Sequence, residues 1–331
     1  MTTQMWATVD YDRPGFQTGD ICLPHSVHRS AYGVLTIPVA VLSGGPGPTV
    51  LLTGGTHGDE YEGPLAIRRL LRTLTPDQVR GRIIALPMLN SPAFRAGLRT
   101  SPEDGGNLNR AYPGDASSGP TAAIAHYVST VLLPMSDFFH DLHAGGASLQ
   151  YLPFVSMRRS NDAELDASSL EAARVFGSNR ILVWDHSPDP RLSTAEANRQ
   201  RVPSLGGEFG GGGSVSRAGI EIAERGLRRL LVHWGLLGEP LEQVPPGKCY
   251  RVAGRDDYVY ATSSGVFEPL VDLGDRVAAG ALCGRIWSID DLATVPVDQF
   301  FRNGGTVFCL RHPGLAQRGD CLAHLASEFP S

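Results

Sequence analysis

Short runs of β-branched and aliphatic residues alternate along the chain with stretches in which apolar residues recur at helical spacing. The runs at 34–43, 48–54 and 82–89 predict buried strands, and "PLAIRRLLRTL" at 64–74 predicts a helix with proline in its first turn. Strands that alternate with helices in this way predict a mixed or parallel sheet with helices on both faces. The same pattern predicts further helices at 121–134, 163–175 and 217–234, and strands that end near residue 143, at 180–184 and at 204–209.

Beyond about residue 240 the pattern changes to short strands separated by glycine and aspartate, with no convincing helical stretch. This texture predicts a small all-β domain. We therefore expect an α/β domain over residues 1–240, whose first strands lie in 1–45, and a C-terminal β domain over 241–331. A length of 331 residues agrees with two domains.

Composition excludes several classes of partner. The net charge is −5, Lys248 is the single lysine, and no run is rich in Lys and Arg, so neither nucleic acid nor an anionic membrane is expected as a partner. No apolar segment approaches the roughly 18 residues that span a bilayer, and no signal peptide is visible. Five scattered cysteines without C-x-x-C spacing indicate reduced thiols. These features predict a cytoplasmic protein.

Polar clusters follow two of the predicted strands. "TVLLTGGTHGDE" places His57 and Glu60 after the first, and "DFFHDLHAGG" places His143 after the second. Ligands of open α/β sheets gather at the carboxyl ends of strands. Catalytic zinc takes three His or Asp/Glu ligands and keeps a fourth position for water. The pattern therefore indicates a zinc site, although "HGDE" alone is also compatible with a helix-entry loop that carries favourable first-turn acids.

Strand alternation separates the two histidines of "HDLH". His140 and His143 are three residues apart, so their side chains point to opposite faces of a strand. His143, at the glycine-rich end, is the predicted ligand. Asp141 shares the face of His143, and we expect it to support that histidine or to join the site.

Two segments bordered by glycines add substrate-binding and catalytic candidates. In "DGGNLNRAYPG", Asn109 and Arg110 together can grip a carboxylate, the guanidinium in a bidentate manner. In "PSLGGEFGGGGS", Glu208 follows a strand and is the candidate general base. The alternatives left open are a structural turn with a solvated arginine and a flexible glycine loop.

Two arginines lie shortly before the Asn-Arg segment, in "FRAGLRTSPED". Either Arg95 or Arg99 could polarise a carbonyl and stabilise the oxyanion of a tetrahedral intermediate. Arg99 is preferred because it is nearer to the loop.

The order of "GGTHGDEYEG", "NLNRAYPG", "DLHAGG" and "GGEFGGGG" resembles the succinylglutamate desuccinylase and aspartoacylase family, a branch of zinc carboxypeptidase-like enzymes. The resemblance covers about residues 48–235, and the C-terminal β domain also fits the family architecture. It implies a zinc-carboxypeptidase-like mixed sheet flanked by helices, with one zinc ion per chain. The residues that match the family's functional positions are His57, Glu60 and His143 for the metal, Asn109 and Arg110 for the substrate, and Glu208 for the general base.

The resemblance also implies an activity, that of a zinc-dependent amidohydrolase removing an acyl group, expected to be acetyl, from a small N-acyl amino acid. "GDEYEGP" and "SPAFRAGLRTSPEDGGNLNR" are most similar to the branch that acts on N-alpha-acetyl-2,4-diaminobutyrate in ectoine breakdown. The segment "STAEANRQRVPSLGGEF" is less similar, and its Arg199 or Arg201 could read a substrate carboxylate or lie on a solvated helix face. The alternatives are another N-acyl amino acid, a metallocarboxypeptidase, and a non-catalytic zinc-binding interaction protein; homo-oligomerisation is left open.

Residues 264–286 resemble the barrel-sandwich hairpin of lipoyl and biotinyl carrier domains. The lysine that such a hairpin carries at its tip is missing, so a carrier role is not expected. We expect this domain to shape the mouth of the site or to form an oligomer contact. Tyr258 and Tyr260 are the tyrosines considered able to reach the site.

Overall fold

The computed structural model describes residues 4–185 and 189–329, and within them a large mixed sheet carries helices on both faces. The helices are α1 (Glu62–Thr73), α2 (Ser91–Ala96), α3 (Pro120–Tyr127), α4 (Ala163–Phe176), α5 (Ser193–Arg199) and α6 (Arg217–His233). The strands of the first 240 residues are β1 (Trp6–Ala7), β2 (Gly15–Pro24), β3 (Val34–Ser43), β4 (Thr49–Gly54), β5 (Arg82–Leu86), β6 (Phe138–Leu142), β7 (Leu149–Tyr151), β8 (Phe154–Arg158), β9 (Arg180–Trp184) and β10 (Ser204–Glu208). Every strand and helix predicted in this part of the chain is present, but the helix predicted at 121–134 is α-helical only to Tyr127 and continues as a π-helical segment (Val128–Leu132) and a 3₁₀ turn (Leu133–Met135).

The order of the strands explains where a site can form. Strands β5, β4, β6 and β10 are neighbours in that order and run parallel. The antiparallel strands β3 and β8 flank this parallel group. Because parallel strands end at the same edge, the residues that follow β4, β6 and β10 meet there.

Local sequence signals account for the helix boundaries. Helix α1 has Pro64 in its first turn and buries Ile67 and Leu70 at helical spacing. Asp162 caps α4 by accepting hydrogen bonds from two backbone N–H groups, and Gly177 ends it in the left-handed conformation with φ of 81°.

Two hydrophobic cores lie on the two faces of the sheet. Val50 and Leu52 of β4 pack with α1, α4 and α6, whereas Leu51 packs on the other face with α3. Successive residues of a strand point to opposite faces, so a strand buried on both sides needs an unbroken apolar run. "VLL" of β4 meets that need.

The C-terminal part consists of strands and one short 3₁₀ turn. A separate antiparallel sheet contains four of these strands, whereas β11 pairs with β9 and so joins the large sheet. Hydrogen-bonded pairing is therefore continuous across residue 240, and the domain boundary at 240/241 stays a prediction. The strands are β11 (Lys248–Val252), β12 (Tyr258–Tyr260), β13 (Gly265–Pro269), β14 (Arg276–Val277), β15 (Leu282–Trp287), β16 (Val297–Phe300), β17 (Gly305–Arg311), β18 (Leu315–Ala316) and β19 (Cys321–Glu328).

No helix in the part of the chain that the structure describes is long and apolar enough to cross a membrane.

Replacing the buried His324 by phenylalanine should make the protein less sensitive to acid. The ring of His324 packs among Tyr151, Trp184 and Tyr258, and burial lowers its pKa to about 4. Between pH 6.5 and 4 the unfolded chain therefore binds the proton more readily, and stability falls as the pH falls, by up to about 3 kcal/mol for this group. His324→Phe removes that loss and fits the aromatic cluster.

The measurement is the free energy of unfolding in urea at several values between pH 7 and 4.5. The exposed His28→Gln serves as the control and should follow the wild-type curve. Equal acid sensitivity of His324→Phe and the wild type would contradict the expectation.

Candidate active site

Three buried side chains converge at the carboxyl edge of the parallel strands. His57 and Glu60 lie between β4 and α1, and His143 follows β6 directly. The Nδ1 atom of His57 lies 2.6 Å from Oε1 of Glu60, and Nδ1 of His143 lies 2.9 Å from its Oε2. One ligand atom from each residue lies within 4.8 Å of the other two, which makes this group able to hold a metal ion.

The outer nitrogen of each imidazole has its own partner. Nε2 of His57 lies 3.2 Å from Oδ1 of Asn107, and Nε2 of His143 lies 3.0 Å from Oδ2 of Asp141. Both Nδ1 atoms are thereby directed toward Glu60. Two imidazole nitrogens and one carboxylate form the donor set of a catalytic zinc site, and orientation of each imidazole by an outer partner is typical of such sites.

The charges of the three groups favour a cation between them. Burial acts to raise the pKa of Glu60, but the two imidazoles overcome it and hold that pKa well below its usual range. Burial lowers the pKa of His57, whereas for His143 the negative charges of Asp141 and Glu60 outweigh burial and raise the pKa. Glu60 is therefore ionised, and a bound cation would take the position that protons hold between these groups.

Asp141 is fully buried and anchors His143. Its carboxylate accepts hydrogen bonds from the hydroxyls of Thr53 and Thr56 at 2.8 Å and from Ser193 at 2.6 Å. Although burial opposes ionisation, His143 and the hydroxyl donors lower the pKa of Asp141 to about 2. The support that the sequence predicts for this residue is thus present in the geometry. His140 lies on the opposite face, with Nδ1 2.9 Å from the carbonyl oxygen of Leu205.

Asp141→Ala should weaken metal binding about 10- to 100-fold, because His143 loses the partner that orients its ring. Competition with a chromogenic chelator measures the metal affinity. Asp137→Asn is the matched control, since Asp137 precedes the same strand at its other end and accepts a hydrogen bond from the backbone of Thr49. Unchanged affinity in Asp141→Ala would show that the ring is held by other contacts.

Glu208 ends β10 directly beside the metal-binding group. Its backbone pairs with that of His143, and the N–H of Phe209 donates to the carbonyl of His143 at 3.0 Å. The Oε2 atom of Glu208 is buried without a hydrogen-bond partner in the described residues. Burial, together with the negative charge of Glu60, raises the pKa of Glu208 to about 8. A carboxyl group with such a pKa can exchange a proton near neutral pH, and the role of Glu208 as general base stays a prediction.

The glycines beside the site permit close approach of backbone segments. A Cβ atom on Gly211 would lie 2.1 Å from the carbonyl oxygen of Leu149, and φ of Gly211 is +152°. A Cβ atom on Gly58 would lie 2.0 Å from the backbone of Ala93 in α2. The loop after Glu208 is therefore packed against neighbouring backbone, which disfavours the alternative of a flexible glycine loop.

Of the two candidate arginines, Arg99 reaches the metal-binding group. Its Nη1 atom lies 3.4 Å from Nδ1 of His57 and 3.7 Å from Oε1 of Glu60. Arg95 is exposed and contacts the hydroxyl of Ser91 instead. The geometry thus allows Arg99 to face a substrate carbonyl; its catalytic role stays a prediction.

The Asn109–Arg110 pair borders the same site. Nδ2 of Asn109 lies 3.4 Å from Nε2 of His143, and its Oδ1 accepts a hydrogen bond from the N–H of Ser193 at 3.1 Å. The Nε atom of Arg110 lies 3.2 Å from Oδ2 of Asp189. Arg110 is therefore held in an ion pair, which disfavours the alternative of a structural turn with a solvated arginine. Its substrate-binding role stays a prediction.

The other candidates lie apart from the metal-binding group. Arg199 pairs with Glu196, and Arg201 pairs with Asp162. Both arginines line a polar cleft of about 920 Å³ at the end of β8, which Asp189, the partner of Arg110, also lines. The rings of Tyr258 and Tyr260 stack on each other, and Tyr258 also contacts His324.

Sequence reasoning missed two partners, Asn107 and Asp189. Asn107 belongs to the same glycine-bordered segment as Asn109 and Arg110, so the dense cluster of polar residues was the available signal. Asp189 had no comparable signal, because its partner Arg110 is 79 residues away in sequence.

Residues 46–234 match the succinylglutamate desuccinylase/aspartoacylase catalytic domain. This chain belongs to the succinylglutamate desuccinylase/aspartoacylase family. Over the whole chain, it is 41% identical to the N-alpha-acetyl-L-2,4-diaminobutyric acid deacetylase of Halomonas elongata, with 98% of this chain and 95% of the relative covered.

Solved structures of family members have the same fold. The product-bound ectoine utilization protein EutE (DoeB) of Ruegeria pomeroyi is 37% identical, with a TM-score of 0.95 over 99% of this chain and 100% of the other. A succinylglutamate desuccinylase/aspartoacylase of Rhodobacter sphaeroides is 36% identical, with a TM-score of 0.93 and the same coverage. The resemblance of the four sequence motifs to this family is confirmed, and so is the mixed α/β architecture.

Proposed function

We propose that this protein is a zinc-dependent amidohydrolase that removes the acetyl group from N-alpha-acetyl-2,4-diaminobutyrate, a reaction of ectoine degradation. The observation that carries the proposal is the buried group of His57, Glu60 and His143 with Glu208 directly beside it. The 41% identity to a deacetylase of that substrate, over nearly the whole chain, supports the choice of acyl amino acid. We further propose a zinc-carboxypeptidase-like catalytic domain within residues 1–240.

Glu208 is the proposed proton carrier. When bound by His57, Glu60 and His143, zinc supplies a Lewis acid that polarises the acyl carbonyl and lowers the pKa of water to about 7. The Glu208 carboxylate then accepts a proton from the attacking water and returns it to the leaving amine. A positive charge close to Glu208 would offset the effect of Glu60 on its pKa, so that the base is ionised near neutral pH.

The remaining residues hold the substrate and the developing charge. Arg99, whose guanidinium lies against His57 and Glu60, stabilises the oxyanion that forms when the carbonyl is attacked. Arg110 and Asn109 hold the α-carboxylate of the amino acid. Together these contacts fix the amide bond between the proton carrier and the metal-binding group.

Metal analysis and a substrate panel test the proposal. The purified protein should contain about one zinc ion per chain and release acetate from N-alpha-acetyl-2,4-diaminobutyrate. The panel includes N-acetylaspartate, N-succinylglutamate and a library of unmodified peptides. Preference for another acylated amino acid would change the substrate, cleavage of peptides would favour a carboxypeptidase, and a zinc-loaded protein inert toward the whole panel would favour a non-catalytic role.

A further inference from the structure

Asp189 lies beside the residues proposed to hold the substrate carboxylate. Its Oδ2 atom is 3.2 Å from Nε of Arg110. Two hydrogen bonds join the segment after Asp189 to the segment of Asn109 and Arg110. The N–H of Tyr112 donates to the carbonyl of Arg191 at 3.2 Å, and the N–H of Ser193 donates to Oδ1 of Asn109. The position of this carboxylate relative to the Asn-Arg pair is therefore held by three separate contacts.

The two members of this ion pair remain accessible to a ligand. The side chain of Arg110 is 40% exposed and that of Asp189 is 18% exposed. Arg191 also holds the carboxylate of Asp189, with Nε at 2.9 Å and Nη2 at 3.0 Å. Hydrogen bonding by Arg191 lowers the pKa of Asp189 to about 2, so the group is ionised at neutral pH.

We propose that Asp189 determines specificity by binding the side-chain ammonium of an acetylated diamino acid while Arg110 binds its carboxylate. This inference rests on the proposed function and deepens it. Such a substrate carries one negative and one positive charge a few bonds apart, and it can exchange partners with the Arg110–Asp189 pair. Both protein charges then stay compensated when the carboxylate draws Arg110 away from Asp189.

The same arrangement disfavours substrates with other side chains. A neutral side chain cannot replace Arg110 beside Asp189, so this carboxylate loses one charge-assisted contact while Arg191 continues to hold it. A side chain with a second carboxylate, as in N-acetylaspartate, brings like charges together beside Asp189, which is destabilising. An ammonium is the group that this position accepts best.

Two substrates that differ only in the ammonium group test the proposal. The wild type should hydrolyse N-alpha-acetyl-2,4-diaminobutyrate with a kcat/KM about 10- to 100-fold higher than N-alpha-acetyl-2-aminobutyrate, as expected for a charge-assisted hydrogen bond. In Asp189→Asn this ratio should fall close to one, mainly through KM for the diamino substrate. Asp185→Asn is the matched control, because Asp185 also pairs with an arginine, but with Arg159 and not with Arg110.

The outcomes separate specificity from positioning. An equal loss for both substrates in Asp189→Asn would mean that Asp189 only orients Arg110, and it would overturn the proposal. A wild-type protein that hydrolyses both substrates equally well would overturn it too, while leaving the deacetylase function intact. A zinc-loaded wild type that hydrolyses neither substrate would overturn the proposed function and this assignment with it.

Binding of the products gives a readout that is independent of catalysis. By calorimetry, the zinc-loaded wild type should bind 2,4-diaminobutyrate at least about 10-fold more tightly than 2-aminobutyrate. This comparison needs no variant, so it can overturn the proposal even if Asp189→Asn does not fold. Equal affinities would contradict an ammonium site at Asp189.

Discussion

Glu208→Gln is expected to lower kcat by about 100- to 10,000-fold, the range over which proton transfer by a positioned side chain contributes to catalysis. Glutamine keeps the shape of the side chain but cannot accept a proton. KM should change much less than kcat, because the proposed substrate contacts belong to Asn109 and Arg110. Steady-state kinetics with N-alpha-acetyl-2,4-diaminobutyrate measures the effect, together with the zinc content of the variant.

Glu103→Gln is the matched control for this variant. Glu103 lies on the loop that also carries Arg99, and its carboxylate pairs with His25. Among the described residues it has no contact with the metal-binding group. This control should retain activity. Near-normal turnover by Glu208→Gln, with zinc bound, would assign the base to another residue; loss of zinc would show that Glu208 is needed for metal binding instead.

His143→Ala is expected to abolish both stoichiometric metal binding and activity. Removing one of three protein ligands leaves Glu60 and His57 with an incomplete donor set. Zinc should stabilise the wild type by about 4 kcal/mol when the free metal concentration is 1,000-fold above its dissociation constant, and it should not stabilise the variant to that extent. Melting temperatures with and without zinc, together with elemental analysis, measure the difference.

The control for the metal experiment is His312→Ala. His312 is exposed and its ring lies next to Gly212, in the glycine loop that follows Glu208. It is a second histidine close to the site that does not belong to the predicted ligand set, so this variant should retain one zinc ion. Stoichiometric zinc in His143→Ala would mean that the ligands differ from those proposed.

The central elements could be predicted because their determinants are local. Buried parallel strands require continuous apolar runs, and helices on their faces require apolar residues at helical spacing. The carboxyl ends of such strands share one edge, so the meeting of His57, Glu60 and His143 followed from the order of elements. The alternation of side chains along β6 also predicted correctly that His143, and not His140, faces the site.

The partners of the site residues could not be predicted in the same way. Contacts such as Arg110 with Asp189 join residues that are far apart in sequence and lie outside the predicted strands and helices, which hydrophobic periodicity does not describe. The partner of Arg199 was also not predicted, although both residues lie on one helix. Arg199 forms an ion pair with Glu196, one turn earlier. The short strand β7 carries too few residues to show any period.

The pairing of β7 has a consequence for the chain as a whole. β7 follows closely on the loop of His143, bonds to β17 near the far end of the chain, and contacts Gly211 of the glycine loop. We expect that a protease cut in the mostly exposed connection at 238–247 would leave the two pieces associated, because backbone hydrogen bonds of β7 with β17 and of β9 with β11 join them. Two separately produced fragments ought to reassemble, because β17 and β11 of the second pair with β7 and β9 of the first.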